Sequence, residues 1–341
     1  MRDSLHSTEG TYQGLRVVTL ENNLLKLVIL PEAGGKIWQI TFTPHAADLL
    51  WNNSHIRPAK HNIHTRFDDV WSGGWDELFP SDEEAFINGQ QYPDHGETWT
   101  GCWDAEVFTN IDEIGVRLTF VTPMSSFQME KTIVLRRGLA RVSFHHRITN
   151  IGSTPFPFLW KLHPAFKVTP EHRIDFPPMR VSLEDDFPGT LKGALANFDW
   201  PYARMRTSEV DLRRVSDENG RELYFFYGNQ MKDGWCALTN TATKLSCGLH
   251  FDPSVFPSCW LFASYGGWRN YNVAVLEPCT GYPLNFKAMV SAGRQRTLKP
   301  GETLETNVLF VVQEGLNSVI HIDPFGRMFD QTAAPQVYEG E

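Results

Sequence analysis

Apolar and polar residues alternate with a period of two along most of this chain, which is the pattern of half-buried β-strands. In residues 141–149, Val142, Phe144 and Ile148 share one face with a histidine, while polar or charged residues occupy the other face. Residues 304–313 show the same alternation. The pattern predicts further strands at residues 14–21, 24–30, 38–43, 115–121, 129–136, 158–163, 223–227, 235–239, 245–251, 259–263 and 272–277.

Helical periodicity is nearly absent, and only residues 191–197 and 318–321 are short helix candidates. Strands without intervening helices favour antiparallel sheets, and their number exceeds that of a small immunoglobulin-like sandwich. The predicted fold class is therefore all-β, a large antiparallel two-sheet sandwich. With 341 residues and no linker or repeat, the chain is expected to form one domain with a core over about residues 14–325. Residues 1–10 and the tail after Asp330 are expected to be loose or docked ends.

Composition narrows the class of protein. A net charge of −9 argues against nucleic acid, whose binding depends on clustered Lys and Arg. No apolar run approaches the roughly 20 residues that cross a bilayer, so no membrane partner is expected. The first residues lack the pattern of a signal peptide, and the five cysteines form no C-x-x-C pair. These features predict a cytoplasmic protein with reduced thiols and a small ligand.

Aromatic residues are unusually frequent, at 13% of the chain, with eleven Trp and 23 Phe. Flat rings stack on the C–H faces of sugars, so the count is compatible with a carbohydrate site. Large aromatic residues also fill the core of β proteins, so any single one of these rings can be a core residue instead.

Candidate chemistry concentrates in four segments that combine ionisable and aromatic residues. They are residues 72–80 (SGGWDELFP), 93–103 (PDHGETWTGCW), 158–166 (FLWKLHPAF) and 273–281 (VAVLEPCTG). Dinucleotide and phosphate loops, the G-x-S-x-G nucleophile motif and the H-E-x-x-H zinc motif are all missing from the sequence. No cofactor is therefore expected.

Glu277 is the candidate general base. It is in phase with Val273 and Val275, so a carboxyl group shares a face with two valines at the end of a strand. Partial desolvation there raises a carboxyl pKa and suits it to proton abstraction. The alternative is that the strand ends at Pro278 and Glu277 begins a turn.

His163 is the candidate acid. It ends an aromatic strand before Pro164, a bend that would present the imidazole to a cleft. A histidine beside aromatic residues can instead be a hydrogen-bonded core residue.

The loop of residues 93–103 is a candidate sugar site. His95 lies in a stretch too polar for a core, although a surface turn is the alternative. Trp99 lies four residues later, and with Asp76 it would bind a pyranose by one ring contact and several hydrogen bonds. Trp99 and Trp103 can equally be core residues in phase with each other.

Two further patterns carry less information. Asp76, Glu77 and the carboxylates at positions 82–84 form an acidic run whose default interpretation is a solvated loop. His61 and His64 have a spacing that suits a metal, but no other ligands stand at a recognisable spacing, so no metal is expected.

Taken in order, these segments resemble the galactose mutarotase-like (aldose 1-epimerase) superfamily over about residues 15–315. The resemblance rests on residues 30–37 (LPEAGGKI), 73–80 (GGWDELFP), 94–99 (DHGETW), 162–166 (LHPAF), 276–281 (LEPCTG) and 298–303 (LKPGET). It implies a β-supersandwich whose concave face binds a free monosaccharide, and an isomerase of carbohydrate metabolism that interconverts α and β anomers. The expected assembly is a monomer or homodimer.

Carried over by position, the resemblance implies Glu277 as base, His163 as acid, and His95 and Asp233 as sugar-binding residues. Asp252 competes with Asp233 for the last role. The Asn-x-x-His-x-Tyr-Phe form of the galactose-active branch is replaced by WKLHPAF at residues 160–166, so galactose is not predicted as the substrate. A non-catalytic carbohydrate-binding or regulatory module of the same fold is the alternative function. Polysaccharide lyases and glycoside hydrolases share the sandwich but usually add a large helical domain for which this length leaves no room.

Overall fold

The computed structural model describes residues 5–184, 187 and 189–331, which form β-strands joined by loops and very short helices. The α-helices are α1 (Phe67–Val70) and α2 (Phe286–Ser291), and single 3-10 turns lie at Thr43–His45, Gly189–Leu191 and Glu218–Gly220. The strands are β1 (His6–Tyr12), β2 (Leu15–Glu21), β3 (Leu25–Leu30), β4 (Lys36–Phe42), β5 (Ala47–Asp48), β6 (Trp75–Leu78), β7 (Ala85–Ile87), β8 (Gln90–Tyr92), β9 (Asp104–Thr109), β10 (Glu113–Val121), β11 (Phe127–Arg136), β12 (Arg141–Asn150), β13 (Phe156–Phe158), β14 (Lys161–Lys167), β15 (His172–Asp175), β16 (Arg180–Leu183), β17 (Asn197–Asp199), β18 (Tyr202–Arg204), β19 (Glu209–Asp211), β20 (Glu222–Asn229), β21 (Trp235–Asn240), β22 (Leu245–Phe251), β23 (Ser258–Tyr265), β24 (Asn272–Cys279), β25 (Arg296–Leu298), β26 (Thr303–Glu314), β27 (His321–Ile322) and β28 (Met328–Phe329).

Two antiparallel sheets carry the architecture. The larger has 12 strands in the order β1-β2-β3-β4-β6-β14-β24-β23-β20-β16-β17, with β5 pairing β4. The smaller has eight, in the order β15-β21-β22-β26-β12-β11-β10-β9. The described residues also form four separate two-stranded sheets, β7-β8, β13-β25, β18-β19 and β27-β28.

The core lies between the two sheets, where the apolar face of each alternating strand turns inward. Across the smaller sheet, the register aligns Val116, Ile133, Phe144 and Val308 in one apolar row. All four are buried, and the Phe144 ring lies 4.8 Å from the ring of Trp75 on the larger sheet. The period-two pattern of the sequence is therefore the pattern of this interface.

The predicted all-β sandwich is confirmed. Both helix candidates are wrong: residue 191 ends a single 3-10 turn and residues 192–196 lead irregularly into β17, which pairs with β16. Residues 318–320 are irregular and lead into β27. At the start of the chain, residues 6–10 are docked as part of β1 on β2. Of the tail after Asp330, residues 332–341 lie outside the described residues. In the part of the chain that the structure describes, no helix has the length and apolar character needed to cross a membrane.

Candidate active site

The centre of the larger sheet presents a row of polar side chains on the face that points away from the smaller sheet. Glu77 on β6 turns toward the smaller sheet, where it contacts Lys131 and His146, so its neighbour Asp76 turns to the opposite face. The register of β6, β14 and β24 places Asp76, His163 and Glu277 side by side on that face. Strands that are remote in sequence are thus neighbours here, and β14 and β24 bring His163 and Glu277 together.

His163 and Glu277 of this row border a cavity of about 340 Å³ that combines aromatic walls with ionisable groups. The apolar lining consists of Phe67, Trp71, Phe187, Phe225, Phe262, Trp268 and Leu284. The ionisable lining consists of Asp68, Asp82, Glu83, Asp94, His95, Lys161, His163 and Glu277. A concave apolar site with a few convergent polar groups is typical of small-molecule binding.

Glu277 is the carboxylate at the floor of this cavity. Strand β24 continues to Cys279, so the alternative that Glu277 begins a turn is wrong. Its side chain is 1% exposed, with Oε2 2.8 Å from Lys161 Nζ and Oε1 3.6 Å from His163 Nε2. Burial raises the pKa of Glu277 to about 7, although the charge of Lys161 opposes this effect. The group is therefore divided between its acid and base forms near neutral pH.

Lys161 is a functional-site residue that the sequence analysis missed. It lies two residues before His163 on β14, so both side chains project to the same face. Its ammonium group forms ion pairs with Glu277 and Asp82 and lies 4.6 Å from the centre of the Trp260 ring. The spacing of Lys161 and His163 on a predicted strand was the signal that could have identified it.

His163 lies inside β14 rather than at the end of a strand, because β14 continues through Pro164 to Lys167. The expected bend is therefore wrong, and the register with β24 is what points the imidazole at the cavity. The ring packs edge-on against Phe67 and Trp71. Burial, helped by the positive charge of Lys161, holds the pKa of His163 well below its ordinary value, so the imidazole is neutral at neutral pH.

His95 has the opposite electrostatic setting. It adopts a left-handed backbone with φ of 60°, and its Nδ1 lies 2.8 Å from Asp94 Oδ1. The ring stacks on Phe67 with centroids 4.2 Å apart. Burial lowers the pKa of His95, but the hydrogen bond to Asp94 and the charge of Asp82 outweigh it, so the net shift is upward. His95 is thus the more cationic of the two imidazoles in the cavity.

The acidic run is largely buried rather than a solvated loop. Asp76 and Glu77 belong to β6, and Asp82 follows it; all three are buried, whereas Glu84 is exposed. Burial is tolerated because cations lie close by, for example Lys36 Nζ at 3.2 Å from Asp76 Oδ2. Asp76 does not line the cavity; it lies opposite His163 in the register of β6 and β14.

Trp99 belongs to the core rather than to the cavity wall. It is 5% exposed and packs edge-on against Phe67 at 5.1 Å. The core alternative therefore describes its position, and the same holds for Trp103, which is 2% exposed. The ring contacts available to a ligand come instead from residues such as Trp71 and Trp268.

The structure does not bring Asp233 or Asp252 to the cavity. Asp233 is exposed and borders a different depression, beside Pro177 and Trp200. Asp252 is exposed and accepts a hydrogen bond from the backbone N–H of Ser254, which caps a turn. Among the described residues, no group of three or more His, Cys, Asp or Glu could hold a metal ion.

Comparison with known proteins supports the architecture. A scan against protein-family models finds no match. A candidate aldose 1-epimerase from Klebsiella pneumoniae is similar in structure, with a TM-score of 0.72 and 16% identity over 89% of this chain and 81% of that chain. A galactose mutarotase-like protein from Clostridium acetobutylicum has a TM-score of 0.68 and 16% identity over 92% of this chain and 100% of that chain. A galactose mutarotase-like protein from Lactobacillus casei has a TM-score of 0.62 at 15% identity, over 87% and 100% of the respective chains. The chain therefore has the galactose mutarotase-like fold.

Proposed function

We propose that this protein is an aldose 1-epimerase, or mutarotase, that interconverts the α and β anomers of a free monosaccharide. The observation that carries the proposal is the convergence of the Glu277 carboxyl group and two imidazoles in a single cavity with aromatic walls. Glu277 has a pKa of about 7, which suits a general base at neutral pH. The names of the similar structures support the same reaction class.

The reaction needs a proton taken from the anomeric hydroxyl and a proton given to the ring oxygen. Oε1 of Glu277 takes the first proton, because Oε2 is engaged by Lys161. An imidazolium gives the second, the C1–O5 bond opens, and rotation about C1–C2 exposes the other face of the aldehyde. When the ring closes, the ring oxygen gives its proton back to the imidazole and the anomeric oxygen takes its proton back from Glu277. The protein therefore gains and loses no proton overall.

The two imidazoles enter this scheme in different charge states. His163, which the sequence analysis expected to be the acid, has a lowered pKa and is neutral when Glu277 is ionised. His95, kept more cationic by Asp94, therefore gives the proton to the ring oxygen in the proposed reaction. His163, whose Nε2 lies 3.6 Å from Glu277 Oε1, hydrogen-bonds a sugar hydroxyl as a neutral imidazole.

The charge of the lining favours an uncharged sugar over a phosphorylated one. Carboxyl groups outnumber cationic groups around the cavity, and Lys161 is already engaged by two of them. A phosphate would have to enter this acidic environment without a free cation among the described lining residues. The expected substrate is therefore an unphosphorylated aldose.

The test is exchange NMR of anomer interconversion across matched free and 6-phosphorylated aldoses. We expect catalysed exchange of at least one free aldose, and its loss in Glu277→Gln. Binding of a sugar without any catalysed exchange would overturn the proposal in favour of a carbohydrate-binding module.

A further inference from the structure

Lys161 occupies an unusual position for a lysine, because it is enclosed and shared between two carboxyl groups. Its side chain is 3% exposed, and Nζ lies 2.8 Å from Glu277 Oε2 and in direct contact with Asp82 Oδ1. The ring of Trp260 covers another side of the ammonium group. Removing so enclosed a charge from water is costly, and hydrogen-bonded counterions offset that cost.

The other charged groups that face Glu277 come from several elements. Lys161 and His163 project from β14, Asp82 from the segment after β6, and His95 from the loop before β9. Of these groups, Lys161 forms the shortest recorded contact with Glu277. Asp82 competes with Glu277 for the same ammonium group.

We propose that Lys161 is a positioning residue for Glu277, holding Oε2 so that Oε1 is presented to the cavity, and that Asp82 limits how strongly Lys161 stabilises the ionised form. This inference rests on the proposed function, since it assigns Lys161 a part in that reaction. Because Lys161 is shared between Glu277 and Asp82, it fixes the orientation of the Glu277 carboxylate without fully suppressing its basicity. If Lys161 were paired with Glu277 alone, Glu277 would be a weaker base.

The arrangement makes two opposite predictions. Lys161→Met removes the cation and leaves Glu277 buried, so its pKa rises and the acidic limb of the kcat/KM profile moves to higher pH, by about 1–3 units. Asp82→Asn leaves Lys161 to Glu277 alone, so the same limb moves to lower pH. Lys161→Arg keeps the charge and restores much of the wild-type profile.

Lys36 provides a matched control. It is also a buried lysine on the larger sheet and pairs with Asp76, but no contact with Glu277 is recorded. Lys36→Met should leave the acidic limb in place even if it lowers stability. Equal shifts in Lys36→Met and Lys161→Met would overturn the inference.

A measurement without turnover separates this inference from the proposed function. NMR titration of the ¹³C-labelled Glu277 carboxyl, assigned by its loss in Glu277→Gln, reports the same pKa directly. The pKa of Glu277 could shift in opposite directions in Lys161→Met and Asp82→Asn while no aldose shows catalysed exchange. That result would support the inference about Lys161 and refute the proposed reaction. A Glu277 pKa that stays unchanged, or that shifts in the same direction in both variants, would overturn the inference. If Lys161→Met fails to fold, Lys161→Arg and Asp82→Asn still test it.

Discussion

If Glu277 is the base of the proposed reaction, activity should depend on pH near neutrality. Because its pKa is raised to about 7, the base is protonated below that pH and ionised above it. We expect kcat/KM for anomer exchange to rise as pH increases through about 7. Glu277→Gln should lower the rate by about 10²- to 10⁴-fold and remove this limb of the profile. A folded Gln variant with wild-type rates would exclude the role, and circular dichroism supplies the check on folding.

Asp94 should control the charge of the His95 imidazole. Its hydrogen bond to Nδ1 opposes the effect of burial and raises the pKa of His95. Asp94→Asn should therefore lower the pKa of His95, so that the cation is lost at lower pH than in the wild type. NMR titration of the imidazole measures this directly. Asp233→Asn is the control, because Asp233 lies outside the cavity, and an equal shift there would contradict the pairing.

The stability of a Trp99 variant tests whether this ring belongs to the core or to the cavity wall. Since the ring is buried against Phe67, Trp99→Ala should cost about 3–5 kcal/mol of unfolding free energy. Denaturant titration provides the value. Phe86→Ala, at a side chain 73% exposed, should change stability by roughly 0.5 kcal/mol or less. A small loss for Trp99→Ala together with weaker sugar binding would return Trp99 to the cavity wall.

Local sequence pattern pointed to some of the candidate residues that the structure brings together in the cavity. Glu277 was singled out because its alternation with two valines predicted which face of the strand it occupies. The family resemblance supported the choice of His163 and His95. Lys161 and Asp82 were missed because their burial depends on each other across two elements. Asp233 was assigned only through the family resemblance, and the structure places it in an exposed loop outside the cavity.

At the scale of elements, the loop that carries His95 is held against the end of β6. The Glu97 N–H donates to the carbonyl oxygen of Phe79 at 2.7 Å, and Gly96 forms a bridge with the same residue. Gly96 has a φ of 72°, and a Cβ there would collide with the Phe79 carbonyl. Only glycine therefore allows this close approach.

Gly96→Ala should lower both stability and activity. The left-handed backbone alone costs about 1–2 kcal/mol for an alanine, and the collision adds to this by displacing the His95 loop. Gly89→Ala is a matched control, because Gly89 has a φ of 86° but open space around its Cβ position. Denaturant titration and exchange rates should show a larger loss for Gly96→Ala, and equal losses would mean that the Phe79 contact is unimportant.

Strands were predictable where one face meets the core and the other meets solvent. β11 and β12 show this alternation over their whole length, and the sequence located both. β6 has four buried residues in succession, so it has no alternation and was taken for a loop. Its backbone is a strand because it fills the gap between β4 and β14, which is a tertiary effect.

At the scale of the molecule, a buried cluster of charges joins the two sheets. Glu77 of the larger sheet lies 2.9 Å from Lys131 Nζ and 3.0 Å from His146 Nε2 of the smaller sheet. Burial raises the pKa of Glu77, but the charges of Lys131 and His146 outweigh it, so the pKa is well below its ordinary value. The ionised carboxylate therefore stabilises the folded state above the unfolded pKa, and this contribution is lost as pH falls.

Glu77→Gln should destabilise the protein by about 3–5 kcal/mol at neutral pH, because it leaves Lys131 buried without its counterion. The difference from the wild type should shrink in acid. Glu106→Gln is the control, since Glu106 forms only an exposed pair with Arg117 and should cost about 0–1 kcal/mol. Denaturant titrations across pH measure both, and a loss for Glu77→Gln no larger than for Glu106→Gln would contradict the bridging role.

The number of strands and the lack of helices were enough to predict a large sandwich. The order of strands was not predictable from the pattern, because any apolar face can pack against any other. The neighbours β6, β14 and β24 stand far apart in the chain, and only their pairing brings His163 and Glu277 together.

The position of β26 in the smaller sheet has a consequence for biosynthesis. β26 lies between β12 and β22 and so joins the strands before β14 to the strands after it. A chain growing from its N-terminus has made β6, β14 and β24 before β26 leaves the ribosome, yet the sheet behind them is still split in two. Closure of the sheet must await the synthesis of β26, and such long-range pairing is intrinsically slow. The cavity is therefore expected to reach its final form only after β26 has been made, well after its own strands.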